Sequence, residues 1–340
     1  MNVTLLTLVA YGAALVGIGL WAARRSAATA DYLLGGRRLG PVVAALSASA
    51  SSSSAWTLLG VSGAAYVWGL SALWLLPATL GGFVLNWYVV APRLQRLSHA
   101  SGALTLTEVL VPPELGDARP RVLRLAAMLV LIAFLFYIAS QFEGAAKAFA
   151  SALGYSRESG IIIGAGIVMF YTLLGGFWAA SVSDALQGLT MVAAAIVLPL
   201  AGLVAVGGPV ALWQALPAAW SASEASLVRG LPALAGLFFV LGTLGIGLGY
   251  PGQPHVVNRF MALRDAAALR QGRRVAIGWA VVIYTGMLLV GFSARVLFPD
   301  IGDSEQALFQ LADRLLPAVV AAVLVAAVLS AIMSTADSQL

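Results

Sequence analysis

The chain is 340 residues long, 61% hydrophobic and only 10% charged, with a mean hydropathy of +0.93; soluble domains carry roughly 25% charged residues, so this composition belongs to a polytopic membrane protein. The absence of cysteine excludes disulfides, thiolate metal sites and thiol catalysis. A net charge of +5 accompanies no nucleic-acid-binding motif, and the excess of Lys and Arg is read as a set of basic loops facing anionic lipid.

Nine apolar stretches are long enough to cross a hydrocarbon core, at approximately 3–23, 41–69, 71–91, 124–150, 159–179, 184–206, 232–250, 274–298 and 316–337. The first is not a signal peptide, because its positive charges, Arg24 and Arg25, follow the apolar run instead of preceding it. Arg37 and Arg38 join them after the first stretch. Arg93, Arg96, Arg119 and Arg121 follow the third, and Arg259, Arg264, Arg270, Arg273 and Arg274 follow the seventh. Alternate loops hold little beyond Arg157 and Arg229, so the positive-inside rule predicts a multi-pass protein of the cell membrane with its N-terminus outside.

The second stretch carries LSASASSSSAW at 46–56, with six serines between Ser47 and Ser54. A straight helix of that stretch would run roughly 43 Å, more than a bilayer requires. The serines sit near its middle, where hydroxyls re-satisfy backbone groups freed by an interruption or let another helix approach closely. In the fourth stretch Glu143 and Lys147 are four apart, a spacing that suits an ion pair near the outer interface or a substrate contact at Glu143. Asp184 opens the sixth stretch, either as a helix cap with Ser183 or as a functional carboxylate.

GTLGIGLGYPGQPHVVNRF at 242–260 places four glycines and Pro251, Gly252 and Pro254 in close succession, which no regular helix survives. The two interrupted stretches, second and seventh, are five apart, and an odd number reverses orientation in the membrane. That pattern predicts an inverted repeat, with a small-molecule and ion site where the broken helices meet. Breaks are expected near 49–54 and 246–254. In the ninth stretch Ser334 and Thr335 are adjacent hydroxyls, which either bond back to the preceding turn or ligate an ion.

DYLLGGRRLGP at 31–41, LSASASSSSAW, GGFWAASVSDALQG at 175–188, GLGYPGQPHVVNRFMA at 247–262 and SAIMSTADSQL at 330–340 together resemble the sodium:solute symporter family, and within it the sodium/proline branch. The resemblance covers essentially the whole chain. It implies an all-α LeuT-type inverted-repeat fold with one extra N-terminal helix. Residues 3–23 would be peripheral, 41–206 the first five-helix repeat and 232–340 part of a second, making 1–340 one transporter domain that is C-terminally incomplete.

The resemblance also implies Na+ as the coupling ion. Its ligands would be backbone carbonyls of Ala50, Ser53 and Ala331 and the hydroxyls of Ser334 and Thr335, oxygens suited to a hard cation. A second sodium site would use Asp184, Asp337 and Ser338, beside Ser334. Substrate contacts would come from Ser52, Ile246, Tyr250, Gln253 and Pro254, with Glu143 added from its charge. The branch usually has Asp at the position of Ser52 and Trp at that of Ile246. The implied function is sodium-driven symport of a small organic solute, an amino acid first, in a lipid bilayer, without enzymatic chemistry or nucleic acid. The other reading is a symporter-like membrane domain of a signalling protein, which residues beyond Leu340 would distinguish.

Overall fold

A computed structural model describes residues 3–23 and 29–340, so Arg24 and Arg25 lie outside the described residues. The described residues form helices joined by short turns, with no strand beyond an isolated parallel bridge between Leu39 and Leu263. In chain order the helices are α1 (Val3–Ala23), α2 (Thr29–Leu34), α3 (Pro41–Ser51), α4 (Val61–Trp68), α5 (Leu75–Leu85), α6 (Ala91–Ser101), α7 (Leu106–Leu110) and α8 (Arg119–Leu153). There follow α9 (Arg157–Val206), α10 (Pro209–Ala219), α11 (Ala233–Gly245), α12 (Pro254–Ala262), α13 (Ala266–Leu297), α14 (Ala307–Leu315) and α15 (Ala318–Gln339). Seven helical runs among the described residues are long and apolar enough to cross a membrane.

The nine apolar stretches fall mainly on these helices, the second and seventh with interruptions. The expected turn between the fifth and sixth, however, is displaced: α9 bends at Gly176 (φ 57°, ψ −149°), several residues before Asp184. A Cβ at Gly176 would stand 2.6 Å from the Tyr32 ring, so only glycine fits both the dihedrals and the contact. Asp184 therefore sits two turns inside a helix and is not a cap, while Ser183 bonds back to the Ala179 carbonyl at 2.7 Å.

Both expected breaks are present. Helix α3 ends at Ser51, Ser52–Ser54 leave the helix, and a wide turn at Trp56–Gly60 leads into α4. Helix α11 ends at Gly245, tightens into a 3₁₀ segment at Ile246–Gly252 and restarts as α12 with Pro254 at its first position, where the missing N–H costs nothing. The second break packs backbone to backbone on α5: a Cβ on Gly247 would lie 2.2 Å from the Ala78 carbonyl oxygen, and one on Gly82 would lie 2.5 Å from the Tyr250 ring. Helices α13 and α15 are the most deeply buried of the spanning runs, and α3 packs against both.

Candidate functional site

At the first break α3 stops with carbonyls of its last turn lacking helical partners, and the negative end of its dipole points into the protein. The side chains of α15 meet it there. Ser334 Oγ donates 3.1 Å to the Ala50 carbonyl and lies 3.3 Å from the Ala331 carbonyl, while Thr335 Oγ1 donates 3.1 Å to the Ser51 carbonyl. Ser334 thus makes both the back-bond and the contact across helices, and Thr335 makes the latter. Ala50, Ser53, Ala331, Ser334 and Thr335 are all fully buried. The Ser53 N–H is spent on the Ala50 carbonyl at 2.9 Å, and the Ser53 hydroxyl is buried without a hydrogen-bond partner. Such a cluster of neutral oxygens fits a small hard cation that strips its water without meeting a permanent countercharge.

The second expected set comes together around a different cation. Arg259 of α12 is buried and its guanidinium reaches Asp184 Oδ2 at 2.8 Å, Ser47 Oγ at 3.0 Å and the Ser338 hydroxyl. Ser47 and Ser51 donate to the same carboxylate oxygen at 2.6 and 3.1 Å, and Ser338 donates 3.0 Å to Asp337 Oδ1. Arg259 also donates to the His255 carbonyl of its own helix and faces the Phe177 ring at 5.3 Å. The sequence reading assigned Arg259 to a basic loop. Its position seven residues past the second break, on a short helix whose neighbouring residues Val256, Val257, Phe260 and Met261 are apolar and buried, is the signal that separates it from the loop arginines.

Between the two breaks lies a cavity of about 360 Å³ lined by Ser52, Ser54, Trp56, Tyr137, Ile246, Gly249, Tyr250 and Gln253. Ser52 Oγ donates to the Ser49 carbonyl at 2.8 Å, Tyr250 OH pairs with Tyr284 OH at 2.6 Å, and Gln253 Oε1 is buried without a partner. No ionisable carboxylate or base lines this space, so its polarity comes from hydroxyls and one amide. Pro254 opens α12 and is not part of the wall.

Glu143 is not part of that wall either. It lines a neighbouring chamber of about 350 Å³ that shares Ser54, Trp56 and Tyr137 with the first. The expected Glu143–Lys147 pair is absent: Glu143 binds Arg157 at 2.8 Å and Lys147 binds Glu305 at 2.6 Å and Asp303 at 3.3 Å. The partners of both residues come from segments that fold over the end of α8, Arg157 from the start of α9 and Asp303 and Glu305 from the turn before α14.

Trp56 and Tyr137 were not singled out from sequence. Trp56 stands two residues after the last serine of the run, and its ring folds over Gly60, where a Cβ would lie 2.5 Å away. Tyr137, Gln141 and Gly144 follow helical spacing on one face of α8; Gln141 Oε1 accepts from the Ala55 N–H at 3.0 Å and so caps the chain where it resumes after the first break.

The model of the sodium:solute symporter family matches residues 32–340. The high-affinity proline transporter PutP of Bacillus subtilis (strain 168) is 35% identical over 335 residues, covering 95% of this chain and 68% of that protein. The sodium/proline symporter of Staphylococcus aureus (strain JH9) is 33% identical over 346 residues, covering 99% and 66%. The chain thus spans about two thirds of the length of these relatives. Among solved structures, the substrate-bound outward-open state of a Na+-coupled sialic acid symporter superposes with a TM-score of 0.80 at 19% identity, covering 100% of this chain and 71% of that one. At that identity the likeness concerns the fold.

Proposed function

The chain belongs to the sodium:solute symporter family, and we propose from that premise that the protein containing it imports a small neutral or zwitterionic solute, an amino acid first among candidates, together with sodium. The observation that carries this is the meeting of Ser334 and Thr335 hydroxyls with the Ala50, Ser51 and Ala331 carbonyls at a helix break. Sodium would replace the hydroxyl-to-carbonyl bonds as the common partner of those oxygens, with Ser53 turned in as a further ligand. At the second position the Arg259 guanidinium already supplies the positive charge that Asp184 and Ser338 gather, which supports one transported sodium per cycle.

The solute is proposed to bind in the chamber between Ser52, Tyr137, Ile246, Tyr250 and Gln253, entering past Trp56 from the chamber that holds Glu143 and Lys147. Pro254 contributes by starting α12 at the break. Residues 41–206 are read as the first five-helix repeat and 232–340 as the start of the second, with α1 peripheral. The N-terminus is placed outside, which sets the Lys147 end of the bundle outward and the Arg37 end toward the cytoplasm. A sodium gradient with 100 mV across the membrane gives about 2.3 kcal/mol per charge moved, roughly fifty-fold accumulation from the potential alone.

The test is uptake of labelled amino acids and organic acids by the full-length protein in proteoliposomes, with sodium or choline outside. Sodium-dependent accumulation of one of them is the expected result. Equal uptake in choline would overturn the reading.

A further inference from the structure

We propose that Arg37 is the pin of a latch that holds the cytoplasmic end of α12 shut, and that the latch is made of hydrogen bonds to backbone carbonyls instead of ion pairs. The carbonyls at the end of α12 lack partners in their own helix. Groups from elsewhere in the fold take them up. Arg37 Nη1 donates to the Met261 carbonyl at 3.2 Å, His99 Nε2 lies 3.3 Å from the same oxygen, the Leu39 N–H donates to Ala262 at 3.3 Å, and Gln95 Nε2 donates to Leu263 at 3.1 Å.

Arg37 also binds Ser98 Oγ and the Ala103 carbonyl, both at 2.6 Å. One guanidinium therefore ties together the turn before α3, the end of α6 and the end of α12. Its own backbone sits at φ 56°, a left-handed conformation that non-glycine residues rarely adopt. A strained arginine held by three polar partners is a device for a geometry that the sequence does not favour locally. Arg37 itself is half-buried, whereas Met261, Ala262 and Leu263 are fully buried beside Phe260, whose ring packs on Trp87 at 4.9 Å, so the hydrogen bonds hold a seam that is also apolar and both part when α12 moves away.

The latch is joined to the proposed sodium site by a run of hydrogen bonds that ends on α12 itself. Ser51 accepts from Thr335 through its carbonyl and donates to Asp184 through its hydroxyl; Asp184 holds Arg259; and Arg259 stands two residues before Met261 on the same short helix. Any change in the α3 end on sodium binding acts on the helix that the latch holds. The inference rests on the alternating-access reading above and adds to it the part that keeps the inner side closed.

Residues 1–340 contain no cysteine, so Leu97→Cys on α6 and Arg264→Cys just beyond α12, both at exposed positions, can carry spin labels in a full-length protein freed of other thiols. Pulsed electron resonance then gives the distance across the latch with sodium, with sodium plus the transported solute, and with neither. In the otherwise unsubstituted protein a short distance should dominate in sodium, and solute should add a longer one. Arg37→Ala should raise the ratio of long to short by about tenfold or more in sodium alone, the loss of at least one charge-assisted hydrogen bond. Ser98→Ala, which removes a single hydroxyl, should act in the same direction with smaller size, and Arg96→Ala, whose guanidinium bonds to the Pro92 carbonyl of its own helix, should leave the ratio unchanged. Distances that respond to sodium and solute but not to Arg37→Ala or Ser98→Ala would overturn the latch alone. Distances that never respond would overturn the latch together with the alternating-access reading.

Discussion

Arg259 and Asp184 form an ion pair of 2.8 Å in which the side chains are 2% and 0% exposed, across a gap that joins the second half of one broken helix to the middle of α9. Two charges removed from water at this depth are supported by the Ser47, Ser51 and Ser338 hydroxyls, with every contact to the carboxylate on Oδ2 while Oδ1 is buried without a hydrogen-bond partner. Losing one partner strands the other: Arg259→Gln should destabilise the folded protein by about 3–5 kcal/mol, and Asp184→Asn similarly. The double variant Asp184→Asn with Arg259→Gln should recover much of that loss. Thermal unfolding of the detergent-purified full-length protein reads all three, and a double variant no more stable than the singles would show that the pair is not the source of the effect.

Sodium dependence should follow the α15 hydroxyls. Each of Ser334→Ala and Thr335→Ala removes an oxygen that now lies 3.1 Å from a carbonyl at the first break. A contact worth on the order of 1 kcal/mol shifts affinity about fivefold, so each substitution should raise the sodium concentration for half-maximal uptake by about that factor. The sodium activation curve should keep a Hill coefficient of about one, because Arg259 holds the second position. A coefficient near two would return Asp184, Asp337 and Ser338 to the role of a second sodium site.

The fold class was legible because it rests on length and periodicity: a bilayer requires long apolar runs, and the Ser47–Ser54 cluster and the Gly245–Pro254 run break helices by their own chemistry. The Ala50, Ser334 and Thr335 grouping was legible only through the family's motifs, since nothing local tells a ligating hydroxyl from one bonded to its own turn. Arg259 was misread because charge counting assigns every arginine near an apolar stretch to a loop, whereas burial depends on a carboxylate 75 residues away. The Glu143–Lys147 pair failed for the same reason, as spacing within one helix says nothing about Arg157 and Glu305 arriving from other turns.

The second break should tolerate substitution unequally. A Cβ at Gly247 would stand 2.2 Å from the Ala78 carbonyl oxygen, with backbone on both sides and no flexible side chain to yield. Gly247→Ala must push the 3₁₀ segment off α5, and overpacking of this kind costs about 1–3 kcal/mol. Tyr250, three residues on, would move with it and loosen from Tyr284. The expected outcome is a solute KM raised several-fold at saturating sodium. Gly252→Ala, where a Cβ meets open space, should leave KM unchanged; equal effects at the two positions would mean that the close approach to α5 is unimportant.

Selectivity is expected to turn on Ile246. This side chain lines the inner chamber beside Tyr250 and is 36% exposed to it and its surroundings, in a place where the family's sodium/proline branch usually carries Trp. An aromatic side chain buries some 150–250 Å², so its replacement by Ile leaves room that a compact pyrrolidine does not fill. Ser52 acts in the same direction. Its hydroxyl is spent on the Ser49 carbonyl, and without the branch's Asp the chamber offers no carboxylate to a bound ammonium, which weakens its hold on a small zwitterion more than on a solute with apolar bulk. Proline should therefore compete less well than a larger neutral amino acid for sodium-driven uptake, and Ile246→Trp should move the ratio of kcat/KM values toward proline by the 10–200-fold range that pocket shape alone controls. Competition with a panel of unlabelled amino acids, run on both proteins, decides the matter: if the unsubstituted protein prefers proline to every larger neutral solute, the size of the Ile246 wall does not set its specificity.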